Sequence, residues 1–333
     1  MTRGTDIRRA SDVLRAGGLV AFPTETVYGL GADASRDDAA AKIFAVKQRP
    51  RAHPLIVHLA PEARLEDWAI DVPDAARALV AIAWPGPLTV ILRRGPRVAL
   101  ATTGGADTVG LRVPSHPMAQ QLLRAFGGAI AAPSANRFGA VSPTTAEHVI
   151  ADLGDEVEYV LDGGPCDVGV ESTIVDFSGR ANAPGRANAP VLLRPGGMPR
   201  QAIEQIVGPL AEADADAPAA PGTLASHYAP RAEVIAAEPD EVPAAVAASH
   251  GKIAVLAPAS AFAKWPDLAV LAYRLPEDLP GIARSLYAAL RDLDAAGVDV
   301  VIAALPPAVG LGEAVGDRLR RAAGPRTSGS RKI

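Results

Sequence analysis

The chain carries LVAFPTETVYG at residues 19–29 and KQRPRAHPLIVH at residues 47–58. In each segment, an apolar run typical of a buried strand adjoins hydroxyl, carboxylate or cationic side chains. Loops at the ends of buried strands are common ligand sites in α/β sheets. The two segments therefore predict an α/β fold that gathers hydroxyls and fixed cations at strand ends, as a phosphate-bearing substrate requires.

Apolar runs alternate with helical patterns along the rest of the chain, which also favours an α/β fold. Strands are predicted at 19–22, 55–59, 88–92, 109–113, 128–132, 159–161, 172–177, 191–194, 234–236, 253–257, 269–273 and 298–303. Helices are predicted after a capping box of Ser35 and Asp38, and at 75–84, 118–126, 144–153, 242–249, 282–295 and 314–323.

A length of 333 residues is sufficient for two domains. An Ala/Pro-rich stretch at 209–222 has the composition of an extended linker. We therefore predict a first domain over 1–208, a linker or lid over 209–232, and a small open-sheet α/β domain over 233–333. The hexapeptide GRANAP occurs twice in tandem across 179–190, which predicts a surface hairpin loop.

Composition excludes several classes of protein. The net charge of −4 argues against a general nucleic-acid binder, and a single cysteine, Cys166, excludes an internal disulfide and a Cys-rich zinc site. No apolar run approaches the length of a membrane span, and the N-terminal residues lack the apolar region of a signal peptide. These features predict a cytoplasmic protein that is not bound to a membrane.

Lys47, Arg49 and Arg51 place three cations within five residues. One interpretation is a phosphate clamp, in which arginine supplies a bidentate fork and lysine a point charge. The alternative is a solvated charged turn. His53 and His58 would face opposite sides of an extended segment, so they are poor joint ligands for one metal ion.

Two further polar segments follow predicted strands. They are Thr24-Glu25-Thr26 and Ser134-Ala135-Asn136, whose short side chains either bind a ligand or satisfy the local backbone. The chain has neither a Gly-x-x-x-x-Gly-Lys loop nor a Gly-x-Gly-x-x-Gly motif, so the usual P-loop and dinucleotide-binding interpretations fail.

Six runs of sequence together resemble the Sua5/YrdC/YciO family, the threonylcarbamoyl-AMP synthases. They are 22–31, 47–58, 110–114, 131–136, 170–176 and 192–197. The family's Lys-x-Arg and Ser-x-Asn signatures appear here as 47–49 and 134–136. The segment 226–230, Ser-His-Tyr-Ala-Pro, resembles the linker of the longer Sua5 form, which carries an additional C-terminal domain.

The resemblance implies a twisted mixed-sheet YrdC-like domain around a wide basic cavity, followed by a small Rossmann-like domain. It implies a nucleotidyltransferase that condenses L-threonine, bicarbonate and ATP to threonylcarbamoyl-AMP and pyrophosphate. A downstream complex would then transfer the threonylcarbamoyl group to adenosine 37 of tRNA, and no stable nucleic-acid binding by this chain is expected. Mg²⁺ is expected on the triphosphate, held mainly by phosphate oxygens and water.

By motif, the resemblance also implies site residues. The expected L-threonine contacts are Thr26, His58, Arg112, Ser172 and the backbone of Ala132. The expected ATP contacts are Lys47, Arg49, His53, Thr108, Ser134, Ser142, Arg194 and Tyr228, of which Lys47 and Arg49 are the expected catalytic residues. Position 53 is commonly asparagine in relatives, so His53 is a departure from the pattern.

Two other functions remain open at this point. An RNA-binding module is one, although the acidic balance and the lack of interleaved aromatic residues speak against it. A carbamoyl-transfer domain related to hydrogenase maturation proteins is the other, although such proteins carry Cys-rich zinc motifs and this chain has one cysteine.

Overall fold

The computed structural model describes residues 2–179, 189–214 and 217–325. The predicted hairpin loop at 179–190 therefore lies almost wholly outside the described residues. The chain forms two compact units, one comprising 1–138 and 142–221 and the other comprising 139–141 and 222–333. The domain limits given above stay a prediction.

The first unit contains a mixed sheet with helices. Its strands are β1 (Thr2–Gly4), β2 (Val20–Phe22), β3 (Gly29–Asp33), β4 (Ile56–His58), β5 (Ala69–Ile70), β6 (Leu88–Arg94), β7 (Thr108–Arg112), β8 (Ile130–Ala131), β9 (Tyr159–Leu161), β10 (Thr173–Asp176), β11 (Val191–Arg194) and β12 (Ala211–Glu212). Its helices are α1 (Ile7–Arg15), α2 (Asp37–Lys47), α3 (Asp74–Ala83), α4 (Pro117–Phe126), α5 (Ala146–Leu153) and α6 (Arg200–Val207).

These strands form one twelve-stranded sheet in the order β1-β9-β2-β3-β8-β4-β7-β6-β10-β11-β12, with β5 paired to β6. Strand β4 lies at its centre, parallel to β7 and antiparallel to β8. The central strands are buried, because their apolar residues pack under the helices. Burial of this kind is the main favourable contribution to folding.

The second unit is a smaller parallel sheet. Its strands are β13 (Glu233–Ala237), β14 (Ile253–Pro258), β15 (Leu271–Leu275) and β16 (Val300–Ala304), and its helices are α7 (Val242–Ala248), α8 (Leu279–Ala295) and α9 (Leu311–Ala322). The strand order is β13-β16-β14-β15, and every pair is parallel. The predicted combination of a mixed-sheet domain and a Rossmann-like domain is confirmed.

The predicted capping box at the start of α2 is wrong. The N-cap residue is Arg36, and no side chain caps the helix. The Ser35 hydroxyl instead donates to Asp33, and Asp38 forms an ion pair with Arg36. The aspartate at the end of β3 and the arginine beside the helix outcompete the local cap, because each offers a charged partner.

Within the described residues, no helix has the length and apolar character that a bilayer crossing needs.

Candidate active site

The central strands bring three of the expected threonine contacts together. His58 lies opposite Arg112 in the parallel pair of β4 and β7, so both side chains point to the same face of the sheet. The backbone N–H of Ala132, just beyond β8, donates to the carbonyl oxygen of Ile56 on β4 at 2.8 Å. Residues that lie far apart in sequence thus become neighbours through strand pairing.

Arg112 forms a buried ion pair with Glu25. Its Nη2 donates to Glu25 Oε1 at 2.8 Å and to the Thr26 hydroxyl at 2.8 Å, and the side chains of the ion pair are only 5% and 6% exposed. The second carboxylate oxygen of Glu25 accepts the backbone N–H of Ser115 at 3.1 Å. This network fixes the guanidinium beside Thr26 and leaves the pair electrically neutral.

Thr26 is itself held by its neighbour. The hydroxyls of Thr24 and Thr26 are 2.9 Å apart, and Thr24 donates to the Val27 carbonyl at 2.6 Å. The loop after β2 is therefore rigid, with its hydroxyls turned to each other and to Arg112. A preorganised loop of this kind loses little conformational entropy when a substrate binds.

His58 is a buried, neutral imidazole. Burial, aided by the positive charge of Arg112, lowers the pKa of His58 to about 3. Its ring meets Phe22 edge-on at 5.7 Å, and among the described residues its Nδ1 has no hydrogen-bond partner. A buried polar atom left in this state is costly unless a ligand satisfies it, which fits a substrate contact.

Ser172 links three strands of the sheet. Its hydroxyl lies 2.8 Å from that of Thr89 on β6. Arg194, at the end of β11, donates to the Ser172 carbonyl at 2.8 Å and to the Pro221 carbonyl at 2.7 Å. The expected threonine contact and the expected ATP contact are therefore in direct contact.

A cleft opens on this part of the sheet. It is lined by Pro54, Leu55, Ile56, Thr89, Ile91, Thr108, Gly110, Ile174, Ala219 and Pro221. Its lining carries no charged side chain, and Ala219 and Pro221 of the predicted linker form part of it. These two linker residues thus lie against the sheet face beside Ile91 and Ile174.

Cationic side chains lie around this cleft instead of in its lining. Arg49 donates to the carbonyl of Pro54 at 3.0 Å, and Arg194 donates to that of Pro221. Both guanidinium groups are buried. The basic character expected of the site therefore lies at its border.

Lys47 is the last residue of α2 and is fully buried. Its Nζ donates to the carbonyl of Ser134 at 2.6 Å and also to that of Asn136. Burial, together with Arg49 and Arg137, holds the pKa of Lys47 well below its usual value. A bound polyanion would reverse that shift, because an opposite charge favours the ammonium form.

The chain turns sharply after Lys47. Gln48 is left-handed, with φ of 53°, and the backbone N–H of Arg49 donates to the carbonyl of Phe44. This αL cap ends the helix and places Arg49 directly beside Lys47. His53, four residues later, is half-buried, and burial and Arg49 lower its pKa.

Two other expected ATP contacts lie nearby in the first unit. Thr108, at the start of β7, is buried and lines the cleft. Ser142 is buried, and its hydroxyl donates to Glu171 Oε1 at 2.6 Å. Thr108 begins a strand, whereas Ser142 lies in the loop before α5, and their role toward ATP stays a prediction.

Tyr228 belongs to the second unit. It is left-handed, with φ of 61°, and its ring is buried against Tyr287 and the guanidinium of Arg318. His227 meets it edge-on at 4.2 Å. The role of Tyr228 toward ATP stays a prediction.

Comparison with known proteins identifies the family. Residues 12–196 match the Sua5/YciO/YrdC family model, described as telomere recombination. Residues 198–324 match the model of the threonylcarbamoyl-AMP synthase C-terminal domain. The chain belongs to the Sua5/YciO/YrdC family.

Relatives of this family match almost the whole chain. A threonylcarbamoyl-AMP synthase of Pyrococcus abyssi is 41% identical over 335 aligned positions, which cover 96% of this chain and 94% of the relative. One of Bacillus subtilis is 39% identical and covers 98% and 95%. The crystal structure of P. abyssi Sua5 complexed with L-threonine superimposes with a TM-score of 0.85 at 40% identity, covering 97% and 96%.

The structure adds partners that motif reasoning did not assign to the site. They are Glu25, which pairs with Arg112, Thr89, which contacts Ser172, and Glu171, which accepts from Ser142. Glu25 stands in the polar segment Thr24-Glu25-Thr26, and its position directly after a predicted strand was the available signal. No local pattern marked Thr89 or Glu171 as a partner of a site residue, because only the fold brings them to Ser172 and Ser142.

Proposed function

We propose that this protein is a threonylcarbamoyl-AMP synthase, which condenses L-threonine, bicarbonate and ATP and releases pyrophosphate. The observation that carries the proposal is similarity to enzymes of that name at 39–41% identity over nearly the full length. The match to a Sua5 structure holding L-threonine supports the amino-acid substrate. The product would pass to a separate complex that modifies tRNA, and we expect no stable RNA complex with this chain.

Threonine would bind at the neutral ion pair and its neighbours. Arg112 suits the carboxylate, and the Thr26 and Ser172 hydroxyls and the Ala132 backbone supply further polar contacts. His58 is neutral at physiological pH, so its imidazole can donate to or accept from a substrate oxygen without adding charge. A site that hydrogen-bonds the substrate hydroxyl rejects analogues that lack it.

ATP would bind along the cationic border of the first unit, at Lys47, Arg49, His53, Thr108, Ser134, Ser142 and Arg194, and the contact expected from Tyr228 stays a prediction. The threonine amine, once neutral, attacks the carbon of bicarbonate; the C–OH bond breaks, and the hydroxyl leaves as water with a proton of the amine, which gives a carbamate. The carbamate then attacks the α-phosphorus of ATP, and pyrophosphate leaves. Lys47 and Arg49 would offset the negative charge that builds up on the phosphoryl oxygens.

Mg²⁺ would accompany ATP rather than occupy a cage built by the protein. Among the described residues, no group of three His, Cys, Asp or Glu side chains is placed to hold a metal ion. An Mg²⁺ ion held mainly by phosphate oxygens and water would not need such a group. When bound, the ion would neutralise part of the triphosphate charge.

The test is turnover of ATP to pyrophosphate, with threonine and bicarbonate each omitted in turn. The proposal expects pyrophosphate only when both are present. Pyrophosphate release that is indifferent to threonine would contradict it. Cytoplasmic location stays a prediction, which fractionation of cells expressing the protein would check.

A further inference from the structure

Phe138 is tied to the cationic segment, although neither the sequence motifs nor the comparisons assign it a role. It stands two residues after Asn136, whose carbonyl accepts from Lys47. The backbone N–H of Phe138 donates to the carbonyl of Lys47 at 3.0 Å. The two segments are thus joined in both directions, and the Phe138 ring is anchored at the end of α2.

The ring of Phe138 contacts the side chains of two expected ATP contacts. The guanidinium carbon of Arg49 lies 5.4 Å from the ring centroid, within the range of a cation–π interaction. The imidazole of His53 meets the ring at 5.3 Å and 70°, an edge-on aromatic pair. Phe138 is half-buried, in contrast to the fully buried Phe22 and Phe44.

From these contacts we infer that Phe138 is a positioning residue for ATP: its ring holds Arg49 and His53 in the orientation in which they meet the nucleotide. The inference rests on the proposed function and extends it to a residue outside the motifs. Arginine has many rotamers, and fixing it in advance removes that entropy from the binding step. The ring contact adds to the hydrogen bonds that Arg49 donates to the carbonyls of His53 and Pro54, so the guanidinium is held from more than one direction.

His53 receives its orientation from the same ring. Its imidazole is a planar ring that needs a packing surface to keep one orientation. The edge-on contact with Phe138 supplies that surface. A single aromatic ring therefore organises both side chains.

The experiment compares Phe138→Leu with the conservative variants Phe138→Tyr and Phe138→Trp. Phe138→Leu keeps apolar volume but loses the π face, so we expect the KM for ATP to rise about 5- to 30-fold. The KM for threonine should change less than about twofold. The Tyr and Trp variants keep an aromatic face and should restore the ATP KM to within about threefold of wild type.

A matched control is Phe126→Leu. Phe126 is half-buried at the end of α4 and packs against a separate apolar cluster of the first unit. The Phe126→Leu variant should lower the melting temperature about as much as Phe138→Leu does, and its KM values for ATP and for threonine should stay unchanged. A common loss of ATP affinity in both variants would assign the effect to general destabilisation and overturn the inference.

A double-mutant cycle keeps the test valid if Phe138→Leu folds poorly. In an Arg49→Gln background, loss of the ring should raise the ATP KM by a smaller factor than it does in the wild type, because only His53 is left for the ring to orient. Full additivity would overturn the inference, as would a wild-type ATP KM in folded Phe138→Leu. Absence of threonine-dependent pyrophosphate release by the wild type would instead contradict the proposed function, and binding of a non-hydrolysable ATP analogue would still test Phe138.

Discussion

Two buried cations of the first unit are held in different ways. Arg112 is paired with the carboxylate of Glu25, whereas Lys47 donates to the backbone carbonyls of Ser134 and Asn136. The first arrangement is neutral, and it suits an amino acid that carries both a positive and a negative group. The second leaves a net positive charge in a buried place, and it suits a triphosphate.

The two arrangements should also contribute differently to the stability of the fold and to catalysis. A buried ion pair is costly to break, since the partner left behind has no counter-charge. A buried cation held by carbonyls is costly to keep, and the depressed pKa of Lys47 reports that cost. We therefore expect substitutions at the two places to affect folding and catalysis in opposite proportions.

The largest expected effect is on catalysis at Lys47 and Arg49. Lys47→Ala with Arg49→Ala removes two charge-assisted contacts, each worth about 1.5–3 kcal/mol, so threonine-dependent pyrophosphate formation should fall about 10²- to 10⁴-fold. The control is Lys42→Ala on the same helix, whose ammonium also donates to a carbonyl, that of Gly17. If pyrophosphate formation fell equally in the double variant and in Lys42→Ala, Lys47 and Arg49 would have no specific role in catalysis.

At the ion pair, the main effect should be on folding. Glu25→Ala leaves Arg112 buried without its partner and should lower the free energy of unfolding by about 3–5 kcal/mol. The exposed pair Glu62–Arg124, whose side chains are 64% and 48% exposed, provides the control, because Glu62→Ala should cost about 0–1 kcal/mol. Urea denaturation measures both, and equal losses would show that burial of the Glu25–Arg112 pair has no energetic consequence.

The pH dependence of ATP binding follows from Lys47. Because its pKa in the free enzyme is depressed, Lys47 loses its proton at a lower pH than an ordinary lysine. ATP favours the ammonium form, so the KM for ATP should rise as pH increases through that depressed pKa, by up to about tenfold per pH unit. The Lys47→Arg variant keeps its charge, so its KM for ATP should depend less on pH. If the KM of the wild type and that of the variant changed with pH in parallel, the pH dependence would not come from Lys47.

His58 should produce the smallest effect. With its pKa near 3, it stays neutral at physiological pH, so its NMR chemical shifts should not change between pH values of about 5 and 8. His58→Gln should lower kcat/KM for threonine about 2- to 12-fold through loss of one neutral hydrogen bond. A titration of His58 near the ordinary value of an imidazole would contradict the buried neutral imidazole.

Local sequence patterns predicted some strands of the first unit with their observed bounds. The apolar runs at 159–161 and 191–194 coincide with β9 and β11, because buried strands are continuous apolar segments bounded by turns. Other elements were missed: β1 is a three-residue polar strand that exists by pairing with β9, and α1 buries only Ala10, Ser11 and Leu14. Strand β1 is too short and polar to show a hydrophobic period, whereas α1 has one in Ile7, Ala10 and Leu14, so its sequence did carry the signal for a helix.

The site was predictable where chemistry follows a motif and unpredictable where it follows the fold. Lys47 and Arg49 were evident as adjacent cations. The pairing of Glu25 with Arg112 joins residues 87 positions apart, and no local pattern specifies it. The linker residues Ala219 and Pro221 were expected to be extended, but their place in the cleft lining depends on packing against β6 and β10.

The most direct test of the two-cation account is calorimetric titration of Lys47→Met with a non-hydrolysable ATP analogue and, separately, with L-threonine. The account predicts an ATP-analogue affinity about 10- to 150-fold below that of the wild type and a threonine affinity within about twofold of it. An unchanged affinity for the ATP analogue, or an equal loss for both ligands, would contradict it.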